Sequence, residues 1–144
     1  MGLSTSKFFL ESLKQSAEIT DIVGDNIRPT SFSADEADED LLPYIIVCHN
    51  GLDNTGQTKD NSVEGDEDDV KIKLVLASQT YDGMVDLAET VRKVLDKAKA
   101  EMSEEQEAEL DAPDDWTFST GPFNYDDVKP CHWVELFYDC VTKP

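Results

Sequence analysis

Two cysteine–histidine pairs are the residues of this sequence with the most distinctive chemistry. Cys48 precedes His49 and Cys131 precedes His132, each at the end of a segment that reads as a strand. Thiolates and imidazoles bind zinc, but structural zinc sites usually take two ligands separated by a few residues. Because neighbouring residues of a strand point to opposite faces, both members of one pair rarely reach the same metal. We therefore expect ordinary strand-end residues and no metal site.

The segment from residue 60 follows the pattern of a calcium-binding loop only in part. Oxygen-bearing side chains alternate from Asp60, and Gly65 occupies the sixth position. The twelfth position of such a loop requires a glutamate that binds Ca²⁺ through both oxygens, and here it is Lys71. We expect at most weak cation binding to acidic loops.

No recognisable catalytic constellation is present. The sequence lacks a Gly-x-Ser-x-Gly elbow, neither histidine has a nucleophile at a recognisable spacing, and the seven glycines are too scattered for a phosphate loop. Two of the many carboxylates could act as a glycosidase pair, but a run of charges is usually a solvated face. We therefore expect no enzyme, no catalytic residue and no cofactor, with a small acidic hydrolase as a distant alternative.

The formal charge of −20 is concentrated in three segments. Residues 35–40, 64–69 and 101–115 hold 18 of the 32 acidic residues and no lysine or arginine. They fall in three predicted acidic loops, 33–41, 51–69 and 101–115, of which 51–69 is long enough that we predict disorder in an isolated subunit. Binding to phosphates rests on basic residues that displace counterions, so we expect no direct nucleic-acid binding.

Length and composition describe one soluble domain, residues 1–144, with 39% hydrophobic and 31% charged residues. No apolar run approaches the roughly 18 residues of a membrane span, and residues 1–7 lack the pattern of a secretory signal. Cys48, Cys131 and Cys140 make an odd number, so we expect reduced thiols in a cytosolic compartment.

The periodicity of the apolar residues predicts the elements. Residues 70–77 alternate as a strand with one well-buried side, and residues 81–98 repeat apolar side chains at steps of three and four. Thr80 is the predicted N-cap of that long helix. An earlier helix is predicted to begin after Ser4 or Ser6 and to carry Ala17 on its apolar side. Thr20 would cap one further turn of that helix, which ends at Gly24.

An extended piece at 26–29 and strands at 43–48, 116–120 and 132–141 complete the order of elements. Strands grouped before and after one long helix favour the α+β class. We predict an antiparallel, possibly mixed, sheet of four to five strands, with an N-terminal helix and one long central helix packed on one side.

The last predicted strand has an unusual outer face. Trp133 and Phe137 alternate there with Glu135 and Asp139, which is more apolar area than a face meant only for water. Together with Tyr44, the two aromatic residues are our interface candidates, and simple core packing is the alternative.

Three stretches together resemble the bacteriophage tail-completion proteins, also described as tail terminator or tail-to-head joining proteins. Residues 23–29 read Val-Gly-Asp-Asn-Ile-Arg-Pro, and residues 42–47 read Leu-Pro-Tyr-Ile-Ile-Val. Residues 70–95 hold a strand, a Thr-Tyr break and the helix Asp-Leu-Ala-Glu-Thr-Val-Arg-Lys-Val-Leu. The resemblance covers roughly residues 8–98. The chain departs from the family in its acidic blocks at 35–40 and 101–115 and in the long loop 51–69.

The resemblance implies a structural virion-assembly protein of a phage or prophage. Members of that family form a ring, commonly a hexamer, that caps the tail tube and joins the tail to the head connector. The implied partners are further copies of the chain, the tail tube protein and the head connector protein. DNA would pass through the channel without being held, and no membrane would be involved. The implied location is the host cytoplasm during assembly and then the virion tail.

An acidic DNA mimic is the alternative from a different functional class. Its carboxylates would imitate phosphates and occupy a basic nucleic-acid enzyme as an inhibitor. The three acidic segments are consistent with both readings, since negative charge also lets DNA slide past a channel wall.

Overall fold

A computed structural model describes residues 2–29, 42–54, 68–101, 103, 112–128 and 130–142. Within those ranges it has three α-helices and six strands, after an initial 3₁₀ turn at Gly2–Ser4. In chain order they are α1 (Thr5–Lys14), α2 (Ala17–Val23), β1 (Ile27–Arg28), β2 (Tyr44–Asn54), β3 (Asp68–Ser78), α3 (Tyr81–Glu101), β4 (Asp115–Thr120), β5 (Asn124–Asp126) and β6 (Cys131–Thr142).

The described strands form one mixed sheet in the order β1-β2-β3-β6-β4. β1 is parallel to β2, and the other pairings are antiparallel. β3 pairs with one edge of β6 along its length. On the opposite edge of β6, β5 pairs with the first residues of the strand and β4 with the later ones. The predicted α+β class is confirmed. The sheet has six described strands where four to five were expected, because β1 and β5 are too short to show a period.

The core lies between the helices and one face of the sheet. Alternate residues of β3, from Val70 to Leu76, are at most 1% exposed and belong to the same apolar cluster as the buried stripe of α3. Burial of side chains of this size stabilises the fold by about 1.5–3 kcal/mol each. The predicted strand, helix and apolar stripe are therefore confirmed. The α3 members of the cluster are Met84, Leu87, Val91 and Leu95.

A cluster of aromatic residues packs α1 against β4 and β6 on the core face of the sheet. The ring of Phe9 lies 5.5 Å from Trp116 and 5.2 Å from Tyr138, while Phe8 lies 5.9 Å from Trp116. Phe118 adds a further contact, 5.2 Å from Tyr138. Offset and edge-on pairs of this kind contribute beyond their buried area. Contacts between residues far apart in sequence therefore determine where the N-terminal helix lies.

The N-terminal helix is divided, contrary to our prediction. α1 ends at Lys14 and α2 begins at Ala17, so Ala17 is exposed instead of continuing the apolar side. Thr20 lies inside α2 and does not precede a turn, because Ser16 occupies the cap position. The predicted end at Gly24 is confirmed, since its φ of 60° is the left-handed conformation that favours glycine.

A β-bulge in β2 keeps the core face continuous. His49 pairs with Ile72 and Leu52 pairs with Val70, so two residues of β2 oppose one residue of β3. Gly51 supplies the φ of 125° within the bulge. Without the extra residue Leu52 would point away from the core, against which it packs.

Two acidic loops have different bounds from those predicted. β2 continues to Asn54 and β3 begins at Asp68, so the loop 51–69 is wrong at both ends. Glu101 ends α3 and Asp115 begins β4, which shortens the loop 101–115. The predicted loop 33–41, the proposed disorder at 55–67 and the calcium-like residues 60–66 lie outside the described residues.

The N-cap of α3 gives a measurable contribution to stability. The backbone N–H of Gly83 donates a hydrogen bond to Thr80 Oγ1 at 3.0 Å, which confirms the predicted cap. Thr80→Ala is expected to lower the free energy of unfolding by about 1 kcal/mol in urea denaturation, because that N–H loses its partner. Thr90→Ala in the middle of the same helix is the control and should change stability little. Equal losses for the two variants would contradict the cap assignment.

Candidate interaction surface

The face of the sheet opposite the helices is formed by the residues that alternate with the core residues along each strand. Tyr44 pairs with Ala77, which pairs with Trp133, so these three side chains share one side. The structure thus brings the three interface candidates to one surface, with Phe137 two rows from Trp133 along β6. We call this surface the helix-free face and define it by Tyr44, Ile46, Val75, Trp133 and Phe137 with the charged residues Lys73 and Glu135.

None of the apolar residues of the helix-free face belongs to the cluster that packs with the helices. Tyr44, Val75, Trp133 and Phe137 are all half-buried, and Ile46 is 7% exposed. Large apolar side chains in adjacent rows of a sheet form a continuous surface, which marks an interaction site when it stays in water. Among the described residues, Trp133 and Phe137 are not members of the helix-packed core, and their place at an interface stays a prediction.

The charges on the helix-free face are balanced, in contrast to those of the whole chain. Lys73 Nζ lies 3.2 Å from Glu135 Oε2, and the two side chains are 28% and 30% exposed. Lys71 pairs in register with Asp139. Such exposed pairs contribute only about 0–1 kcal/mol to stability. Their consequence is electrostatic, because the charges of Lys73 and Glu135 cancel at the centre of the helix-free face although the whole chain has a net charge of −20.

Burial keeps the Tyr44 hydroxyl and the cysteine thiols of the sheet protonated at neutral pH. It raises the pKa of Tyr44, Cys48 and Cys131, in each case as the largest cause. It also raises the pKa of Cys140 to about 12, with Asp139 adding to the effect. These thiols are free and remain uncharged at neutral pH, so none of them has the character of an activated nucleophile.

A carboxylate pair marks the acidic end of the helix-free face. Asp139 lies close enough to share a proton with Asp69, and this contact, with partial burial, raises the pKa of Asp69. The folded pKa lies above the unfolded one, so the ionised pair costs stability at neutral pH. That cost disappears as the pH falls below the unfolded value of about 3.9.

Asp69→Asn is accordingly expected to raise the free energy of unfolding at pH 7 by about 0.5 kcal/mol, after allowance for solvent screening. The gain should vanish near pH 3, which thermal denaturation across pH would measure. Asp21→Asn on exposed α2 is the control. A gain that stays constant with pH would contradict the assignment.

The two cysteine–histidine pairs do not converge. Cys48 pairs with Lys73 on the helix-free face, whereas His49 pairs with Ile72 on the core side. The ring of His132 packs against that of Tyr125, with the centroids 4.8 Å apart and the planes inclined by 50°. Among the described residues no group of three or more potential ligands could hold a metal ion. No helix in the described part of the chain is long and apolar enough to cross a membrane.

Sequence reasoning missed a second apolar region, at the N-terminal end of α3. Tyr81 and Phe123 are each 49% exposed, and their rings lie 5.8 Å apart. A groove of about 480 Å³ begins beside Phe123 and runs between α3 and β4. A phenylalanine directly after a Gly-Pro turn was the available signal, since turns are normally polar.

A scan of protein-family models and a search of curated proteins found no match to this chain. Its fold is similar to that of a chain in the solved structure "Virion of native gene transfer agent (GTA) particle", with a TM-score of 0.65. The match covers 94% of this chain and 92% of that chain at 12% sequence identity. At that identity the likeness shows the fold, and the two chains share this α+β architecture over almost their whole lengths.

Proposed function

We propose that this protein is a structural, non-enzymatic component of a phage or phage-like particle. Its role would be to cap the tail tube as a ring and to join the tail to the head connector. The observation that carries the proposal is the fold likeness to a chain of a virion over nearly the full length of both chains. The resemblance of residues 23–29, 42–47 and 70–95 to tail-completion proteins points the same way.

The helix-free face suits a subunit that works by contact with its neighbours. Aromatic side chains contribute most of the energy of many interfaces, and Tyr44, Trp133 and Phe137 lie on one surface with Ile46 and Val75 between them. The balanced pairs beside them let two acidic copies approach without net repulsion at the contact. We therefore assign this face to contact with a neighbouring subunit of the assembly.

The acidic excess suits the same role. A tube that passes DNA should not hold it, and negative charge lowers the attraction of phosphates. In the sequence, residues 35–40 connect β1 to β2, and residues 104–111 connect α3 to β4. In a ring we assign them to surfaces exposed to solvent or to the channel.

Deletion of the gene from its phage or prophage tests the proposal directly. We expect electron microscopy of lysates to reveal tails of abnormal length, or tails separated from filled heads, with recovery on complementation. Tails of normal length that join heads in the deletion strain would refute the assignment. Capture from host lysate tests the DNA-mimic alternative, which requires salt-sensitive recovery of a basic nucleic-acid enzyme.

A further inference from the structure

The groove between α3 and β4 is a built cleft with an apolar floor. Val85 and Ala88 line it from α3, Phe118 and Thr120 from β4, and Phe123 closes one end. Its volume of about 480 Å³ is in the range of ligand-binding pockets in proteins. The groove lies on the helix side of the sheet and is separate from the helix-free face.

A free strand edge runs beside the groove. The Gly121 N–H donates to the Glu135 carbonyl at 2.9 Å, which makes these two residues a hydrogen-bonded pair. Because such pairs alternate in an antiparallel ladder, the backbone groups of Phe118 and Thr120 point away from β6. Within the described ranges no strand pairs with that outer edge. An extended segment could therefore add to β4 with alternate side chains in the groove.

The charges that line the groove cancel, and one cation is well placed for an anionic group. Arg92 and Lys93 balance Glu89 and Asp96. The guanidinium carbon of Arg92 lies 4.4 Å from the centre of the Phe118 ring, at the apolar floor. Within the described part of the chain neither Arg92 nor Lys93 forms an ion pair within 4 Å. An acidic segment of this strongly negative protein meets no net repulsion there.

The chain itself contains a segment of matching chemistry. Residues 30–34 read Thr-Ser-Phe-Ser-Ala, so Phe32 and Ala34 alternate with serines, and residues 35–40 follow with five acidic side chains. A strand with this sequence would place Phe32 and Ala34 on one side, as an apolar groove requires. The acidic residues would then continue along the basic side chains of α3.

That segment belongs to the opposite edge of the sheet. It joins β1 to β2, and β1 lies four strand spacings from β4, or roughly 19 Å at about 4.8 Å each. Twelve extended residues span roughly 40 Å, and the segment must start at β1 and end at β2, which lie four and three strand spacings from β4. The segment therefore has too little length to reach the groove of its own copy and also run along it, whereas a neighbour placed edge to edge would receive it.

We propose that residues 30–41 of one copy bind the α3–β4 groove of a second copy, with Phe32 in the apolar floor and its backbone paired to the outer edge of β4. The contact joins two different surfaces, so repetition in one direction generates a ring or a filament, whereas reciprocal exchange between two copies would give a closed dimer. The inference rests on the proposed ring for its biological setting, but the binding itself does not require the tail.

Fluorescence anisotropy with a labelled peptide of residues 30–41 and the full-length protein tests the contact. We expect saturable binding that weakens at least tenfold with Phe32→Ala in the peptide or Arg92→Glu in the protein. Thr120→Pro should weaken binding similarly, because it removes an outward N–H and leaves the pairing with β6. Lys14→Glu on exposed α1 makes the same charge change away from the groove and is the control.

The outcomes separate this inference from the proposed function. Absence of saturable binding, or equal losses for Arg92→Glu and Lys14→Glu, overturns the groove contact even if the deletion strain has defective tails. Groove-dependent binding with normal tails in the deletion strain supports the contact and refutes the tail role. Circular dichroism of each variant excludes unfolding as the cause of a loss.

Discussion

Phe9→Ala is expected to lower the free energy of unfolding by about 4 kcal/mol. Phe9 is fully buried and its ring contacts those of Phe8, Trp116 and Tyr138 at 5.5, 5.5 and 5.2 Å. Truncation leaves a cavity where α1 meets β4 and β6. Domains are stable by only about 5–15 kcal/mol, so the melting temperature should fall by roughly 12 °C.

Two further variants show whether the loss arises from the cluster. Phe123→Ala removes an aromatic ring that is 49% exposed, and we expect a loss below about 1 kcal/mol. Tyr138→Phe removes a buried hydroxyl that has no hydrogen-bond partner among the described residues, so stability should be unchanged or slightly higher. Urea denaturation of the three variants measures the differences, and a marked loss in Tyr138→Phe would show that the hydroxyl is bound.

The double variant Trp133→Ala, Phe137→Ala is expected to reduce the yield of complete particles at least a hundredfold when it complements a deletion strain. Both side chains are half-buried on the helix-free face and absent from the helix-packed core, so the fold should survive their loss. An interface that loses two aromatic anchors loses about 4 kcal/mol or more of binding free energy, which corresponds to such a factor.

Tyr125→Ala is the matched control for the double variant. Tyr125 is an aromatic residue with 57% exposure, and its pairing with His132 places it on the other side of the sheet. Particle titre after complementation, with protein on purified tails measured in parallel, distinguishes the surfaces. Wild-type titre for the double variant would remove the helix-free face from the assembly, and an equal loss for Tyr125→Ala would show that exposure alone matters.

Elements with local signals can be predicted from the order of residues alone. The strand–helix unit of β3 and α3 was predicted from apolar periods of two and three to four, and its cap at Thr80 from residue type. The two faces of β6 can be predicted for the same reason, because side chains alternate between the faces of a strand whichever strands pair with it. These predictions concern neighbours in sequence, where a few residues fix the conformation.

Which of these faces meet depends on contacts between segments that are distant in the chain. β1 has two residues and no period. The position of α1 depends on Phe8 and Phe9, which pack on Trp116 and Tyr138 more than a hundred residues later in the chain. Tyr44 lies on the same face as Trp133 and Phe137 because of the pairing register of β2, β3 and β6. Strand 43–48 is apolar on both sides, so its sequence could not distinguish the core face from the outer one. Register and edge placement arise from contacts between distant segments, and these carry no local pattern that a single sequence would display.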